Sequence, residues 1–226
     1  MTQQLESTEP RHDVLRVVIV DDHDLFRTGL RNLLEEQGIQ VVGEAAAGGD
    51  AVQSVRELAP DVVVMDLNMP GMTGVEATRQ ITSIAPLTRV LVLTISDQDS
   101  DVLDAILAGA CGYLLKDSSI QDLMAGIRAA SIGESLISPN IASKVLQRVR
   151  STSSVPAIAE TIRAELSDRE IEVLKLIANG KDNAMIAGEL HISPKTVKNH
   201  ISNILMKLQI DNRIQAAVYA VKSGIV

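Results

Sequence analysis

The chain has 226 residues, 46% of them hydrophobic and 22% charged, with a formal net charge of -8. That balance excludes disordered and fibrous classes and allows one large domain or two ordinary ones. Three aromatic residues, Phe26, Tyr113 and Tyr219, imply an aliphatic core and argue against single-stranded nucleic acid stacked on aromatic platforms. The lone Cys111 excludes an intramolecular disulfide and a multi-cysteine zinc site.

No apolar run approaches the roughly 18 residues of a membrane span, and the polar, acidic start is no signal peptide. The expectation is a soluble, cytoplasmic protein. Charge is unevenly placed. Residues 1–150 hold 12 Lys/Arg against 21 Asp/Glu, whereas 180–226 hold 6 against 3. A basic end suits a nucleic-acid contact, although the surplus is small.

Residues 1–15 lack periodicity and read as a loose tail. From Arg16, short apolar runs alternate with helical patterns. The runs are Val17-Val18-Ile19-Val20, Val41-Val42, Val62-Val63-Val64-Met65, Val90-Leu91-Val92-Leu93 and Tyr113-Leu114-Leu115. Apolar residues at successive positions suit strands buried on both faces. Leu25, Phe26, Gly29, Leu30, Leu33 and Leu34 make one helical pattern; Ile120, Leu123, Met124 and Ile127 make another. Five βα repeats predict an α/β fold, a doubly wound five-stranded parallel sheet over about 16–135. A linker follows over 136–163, with a helix at about 139–150 opened by Ser138-Pro139 and a loose stretch at 151–156. The remainder, 164–226, reads as a small all-α domain of four helices. Ser167 with Glu170 forms a capping box, Asp182 caps the second helix, Ser193-Pro194 opens the third, and Asp211 or Asn212 caps the fourth.

Strand 1 leads into Asp21-Asp22 and strand 3 into Asp66. In a parallel α/β sheet these ends share the edge where ligands bind. Three converging carboxylates repel one another, and a hard divalent cation such as Mg²⁺ relieves this. Thr94 ends strand 4 and Lys116 follows strand 5. A hydroxyl and an ammonium facing three acids could hold phosphoryl oxygens. Asp66, central and followed by the sharp turn Asn68-Met69-Pro70-Gly71, is the candidate nucleophile for an acyl phosphate. Cys111 reads as a small buried residue.

Asp21-Asp22, Asp66, Thr94 and Lys116, in this order on strands 1, 3, 4 and 5, resemble the receiver domain of bacterial two-component response regulators. The resemblance implies that Asp66 accepts a phosphoryl group from a sensor histidine kinase. It implies Mg²⁺ on Asp22, Asp66 and the backbone carbonyl of Asn68, with Asp21 helping through water. It also implies that Lys116 pairs with the phosphoryl oxygens, that Thr94 turns inward to them, and that Tyr113 is the rotating aromatic that reports the change.

In the C-terminal part, Met185, Ile186 and Leu190 form one apolar stripe, and Val197, Ile201, Ile204, Leu205 and Leu208 a second. The face opposite the second stripe carries Lys195, Lys198, Asn199 and Ser202, with Lys207 close by. A polar, basic face at a helix N-terminus suits a major-groove reader. Leu166-Ser167-Asp168-Arg169-Glu170, Ile186-Ala187 and Ser193-Pro194-Lys195-Thr196-Val197-Lys198-Asn199-His200 resemble the LuxR-type helix-turn-helix. With the receiver, the chain resembles transcriptional response regulators of the NarL/FixJ class. This implies a recognition helix at 194–208, with base contacts near Lys198, Asn199 and Ser202 and phosphate contacts by Lys195 and Thr196. It also implies a fourth helix, 212–222, that dimerises through Ile214, Val218 and Val221 on phosphorylation. Ala184, Ser202 and Met206 depart from common family lysines or polar positions, which predicts weaker non-specific DNA affinity.

Two alternatives remain at this point. Asp22-His23-Asp24 superficially resembles the start of aspartate-nucleophile phosphatases, but no substrate cap is evident, and the expectation is no turnover enzyme. A receiver serving only as a constitutive dimerisation module would leave the acid cluster, Thr94 and Lys116 without a task. The expected activity is a phosphorylation-switched transcription factor for double-stranded promoter DNA.

Overall fold

A computed structural model describes residues 14–96, 98–135, 166–210 and 212–226. The expected linker helix, the 151–156 stretch, Asp211 and residues 1–13 of the tail lie outside the described residues.

The first part alternates strand and helix: β1 (Arg16–Val20), α1 (Asp24–Glu36), β2 (Gln40–Ala45), α2 (Gly48–Leu58), β3 (Val62–Met65), α3 (Gly74–Ile84), β4 (Arg89–Thr94), α4 (Asp99–Leu107), β5 (Gly112–Leu115) and α5 (Ile120–Ser131). The strands form one parallel sheet in the order β2-β1-β3-β4-β5. Chain order reverses between β1 and β3, so the carboxyl ends of those two strands flank the switch point.

Alternate residues of each strand enter different cores. Val17, Ile19, Val62, Val64, Leu91 and Leu93 pack with Leu30 and Leu34 of α1 and Leu123 and Ile127 of α5. Val18, Val20, Val63, Met65 and Val90 pack with Val52 and Val55 of α2 and Ala77 and Ile81 of α3. Burial on both faces is why the strands are apolar throughout. β2, at the edge, runs six residues, where the apolar pair Val41-Val42 alone marks it in the sequence. Its register with β1 shifts between Val17 and Val18. The apolar pattern of α1 divides: Leu30 and Leu34 are buried, whereas Leu25 is 89% exposed and Leu33 is also exposed.

The second part is helical: α6 (Asp168–Ala178), α7 (Asn183–Leu190), α8 (Pro194–Leu208) and α9 (Arg213–Lys222). The expected caps are made. Ser167 and Glu170 form a reciprocal capping box, Asp182 accepts from the Met185 amide, Ser193 accepts from Thr196, and Asn212 accepts from Ile214 and Gln215. Val173, Leu174, Ile186, Val197 and Ile204 centre the core of these helices.

Glu170 is buried to 3% exposure and holds Lys207 at 2.7 Å while accepting from the Ser167 amide at 2.8 Å. Burial raises its pKa, but the bonds from Lys207 and Ser167 outweigh that and the net shift is downward. A carboxylate with a lowered folded pKa stabilises above its unfolded pKa and loses that contribution as pH falls through the folded value. The Glu170→Gln variant should therefore lose about 1–3 kcal/mol at pH 7 and show a flatter acid limb. Urea midpoints of the C-terminal transition between pH 7 and pH 3 check this.

Candidate functional site

The site is built at the switch point. β1 ends at Val20 and the chain continues directly into Asp21 and Asp22; β3 ends at Met65 and continues into Asp66. Asp21 and Asp66 are each 2% exposed. Backbone bonds fix their stems, with the Asp21 amide donating to Ala45 O and the Asp66 amide to Val20 O.

Lys116 follows β5. Its Nζ lies 2.6 Å from Asp21 Oδ2 and 2.7 Å from Asp66 Oδ2, and 4.5 Å from the centroid of the Phe26 ring. Burial lowers the Lys116 pKa, but bonds to Asp21 and Asp66 outweigh it and the net shift is upward. One ammonium thus offsets two buried carboxylates. The other oxygen of Asp66, Oδ1, accepts from the Leu67 amide at 2.7 Å and the Asn68 amide at 3.4 Å.

Asp22 is half-buried. Its Oδ1 has no hydrogen-bond partner; His23 Nδ1 lies 2.7 Å away without hydrogen-bond geometry. One ligand atom from each of Asp21, Asp22, His23 and Asp66 lies within 4.8 Å of the others. Clustered carboxylate oxygens with an unsatisfied buried acceptor suit a hard cation such as Mg²⁺.

The loop after Asp66 depends on two glycines. Gly71 has φ +77°, which the turn after Pro70 requires. Gly74 opens α3 against the loop, and a Cβ there would meet Asp66 O at 2.0 Å and Leu67 Cα at 2.7 Å. Backbone cannot yield cheaply, so Gly74→Ala should cost the receiver about 1–3 kcal/mol. Urea unfolding compared with Gly49→Ala, an exposed position in α2 where a Cβ meets open space and should not destabilise, is the check.

Thr94 is fully buried at the end of β4, where its Oγ1 accepts from the Ser96 amide at 3.4 Å. Tyr113 is also fully buried, and its hydroxyl donates to Ser96 O at 2.8 Å. Both therefore hold the β4–α4 loop. Cys111 is buried, donates to Val90 O, and is pushed up to about 12 by desolvation, so it is inert.

The helical domain presents a different surface from this acidic edge. On α8, Lys195, Lys198, Asn199 and Ser202 lie on the exposed face, and Thr196 is half-buried and bonded to Ser193. Lys207 does not join that face, because it lies about 120° round the helix from Lys195 at 3.6 residues per turn. It is held by Glu170 instead.

These two sites match known families. A receiver-domain family, "Response regulator receiver domain", matches residues 17–128, and "Bacterial regulatory proteins, luxR family" matches 164–220. The transcriptional regulatory protein LiaR of Bacillus subtilis (strain 168) is 45% identical over 214 residues, covering 94% of this chain and all of that protein. The chain belongs to the response regulators. The response regulator protein VraR of Staphylococcus aureus (strain Mu3 / ATCC 700698) is 40% identical over 94% of this chain and 99% of its own. Among solved structures, the response regulator ChrA of a heme-sensing two-component system is 37% identical with a TM-score of 0.52, covering 94% of this chain and 99% of its own. The RcsB–DNA complex is 26% identical with a TM-score of 0.54, covering 92% and 98%.

In this response regulator the two parts touch. Ile214 and Val218 of α9 pack with Val102, Ala105 and Ile106 of α4, and Val221 lies against the same cluster. Asn212 Nδ2 donates to Ala110 O and Gln215 Nε2 to Ile106 O, both at 3.0 Å. Ile106 O, in the last turn of α4, also accepts from the Gly109 amide at 3.0 Å, so Gln215 adds a second donor to it. At the other side, Glu134 Oε1 lies 3.1 Å from Lys198 Nζ and accepts from Asn183 Nδ2 at 3.2 Å. Arg213 bonds Asn183 and the Lys181 carbonyl, and desolvation lowers its pKa. Neither Glu134 nor Gln215 carries a motif that sequence reading could single out. Phe26 could have been found, as an aromatic four residues beyond Asp22. Among the described residues, no helix is long and apolar enough to cross a membrane.

Proposed function

We propose that the chain is a phosphorylation-switched transcriptional regulator whose phosphoryl acceptor is Asp66. The observation that carries this is the Lys116 ammonium bridging Asp21 and Asp66 at 2.6 and 2.7 Å, beside a partly unsatisfied acid cluster. Asp22, Asp66 and the Asn68 carbonyl would hold Mg²⁺, with Asp21 acting through water. The ion, when bound, supplies positive charge that offsets the carboxylates and the incoming phosphoryl oxygens.

The acceptor step is a displacement on phosphorus. An Asp66 carboxylate oxygen forms the new P–O bond, and the donor, a sensor histidine kinase, leaves with the bond pair. Lys116 then pairs with phosphoryl oxygens, and the Thr94 hydroxyl turns toward them. A Thr94 that moves inward releases its acceptor contact with Ser96, and Tyr113 holds the same residue, so the β4–α4 loop is coupled to the site.

α4 is the element the last helix packs on. Phosphorylation would therefore weaken the α4–α9 contact and free Ile214, Val218 and Val221 to form a homodimer interface. It would also free Lys198 from Glu134. Two output domains would then read promoter half-sites in the cytoplasm. The chain is a phosphoryl acceptor with at most slow self-dephosphorylation, not a turnover enzyme. DNA binding measured by anisotropy, with and without a small phosphoryl donor and Mg²⁺, tests the reading. Donor should tighten binding of wild type and leave Asp66→Asn unchanged. Equal binding in all four samples would favour a constitutive module.

A further inference from the structure

α8 has one large apolar residue that the domain core does not use. Val197, Ile201, Ile204, Leu205 and Leu208 all contribute to that core, whereas Met206 is 69% exposed. At 3.6 residues per turn, Met206 lies about 20° round the helix from Lys195, between the directions of Ser202 and Asn199. It is therefore on the midline of the polar face, not at its rim. Asn199 and Ser202 are exposed beside it.

A phosphate or a guanine edge gives a thioether nothing. The major groove offers one apolar group on its base edges, the C5-methyl of thymine. Methionine is flexible and polarisable and can lie against it. Seven residues separate Met206 from Asn199, about 10 Å of helix, or about three base-pair steps. Ser202 and Met206 flank the direction of Lys195 and carry no charge, so the C-terminal half of this face has little to hold phosphate.

We propose that Met206 is a specificity-determining residue, reading a thymine methyl group about three steps from the base that Asn199 contacts. This rests on the reading of α8 as a recognition helix. It gives Met206 a positive role: weaker general affinity for DNA is exchanged for discrimination at one A·T pair.

The test uses the full chain with Mg²⁺ and a small phosphoryl donor. Duplexes are first selected from a random library. Each thymine of the selected half-site is then replaced singly by deoxyuridine, which removes only the methyl group. One such replacement should weaken wild-type binding by about threefold to fivefold. The same replacement should leave Met206→Ala binding unchanged, and Met206→Leu should keep the sensitivity. The proposal is overturned if no position is sensitive to deoxyuridine, or if Met206→Ala keeps the full sensitivity. It is likewise overturned if Met206→Ala changes only the oligomeric state of the DNA-free chain. If no duplex is enriched, the DNA-binding reading itself fails, and this inference with it.

Discussion

Replacing Lys116 by Met should destabilise the receiver by about 3–5 kcal/mol in metal-free buffer, the usual cost of stripping one partner from a buried ion pair. Asp21 and Asp66, each 2% exposed, would face each other with no ammonium between them. The Phe26 ring would lose its cation as well. The effect should shrink on adding Mg²⁺, because a cation bound by the folded state alone stabilises it by mass action. Urea midpoints of Lys116→Met with and without Mg²⁺ measure both parts. A variant as stable as wild type without Mg²⁺ would mean that the carboxylates do not depend on this ammonium.

The contact between the two parts yields the second large effect. In the unphosphorylated chain, Glu134→Ala combined with Gln215→Ala should tighten DNA binding by about tenfold or more. At least three polar contacts are removed, to Lys198, Asn183 and the Ile106 carbonyl, each worth about 0.5–1.5 kcal/mol or somewhat more where charged, and the open form gains accordingly. Neither residue is part of the acid cluster, so phosphoryl uptake should persist. Asn212 is a poorer choice for this test, since it also caps α9. Anisotropy on a selected duplex, with small-angle scattering on the same samples, reads affinity and opening together. Unchanged affinity with an unchanged radius would show that these contacts do not hold the chain shut.

The features legible in the sequence were those set by local rules. Buried parallel strands need apolar residues at every position, so β1, β3 and β4 stood out. Chain reversal at β1 and β3 then put Asp21, Asp22 and Asp66 on one edge. Caps at Ser167, Asp182 and Ser193 followed from short-range hydrogen bonding. What was hidden depended on distant partners. An edge strand such as β2 has one side of its ladder unpaired and is only partly buried, so only Val41 and Val42 marked it. Leu25 and Leu33 fit a helical apolar pattern, yet the sheet covers only the face bearing Leu30 and Leu34. Lys207 sits close to basic neighbours in sequence, but its direction from the helix axis takes it to Glu170, thirty-seven residues earlier. The family resemblance implied a dimer surface at Ile214, Val218 and Val221, and their apolar character alone does not distinguish such a surface from an internal contact. The structure packs them on α4. Tyr113 read as a switch aromatic, and its bond to Ser96 O depends on a loop from another strand.

The most direct measurement is the intact mass of wild type and Asp66→Asn after incubation with Mg²⁺ and a small phosphoryl donor, with light scattering on the same samples. One added phosphoryl group on wild type alone is the expected result, accompanied by a shift from monomer to dimer. An adduct on Asp66→Asn, or none on wild type while DNA binding stays intact, would contradict it.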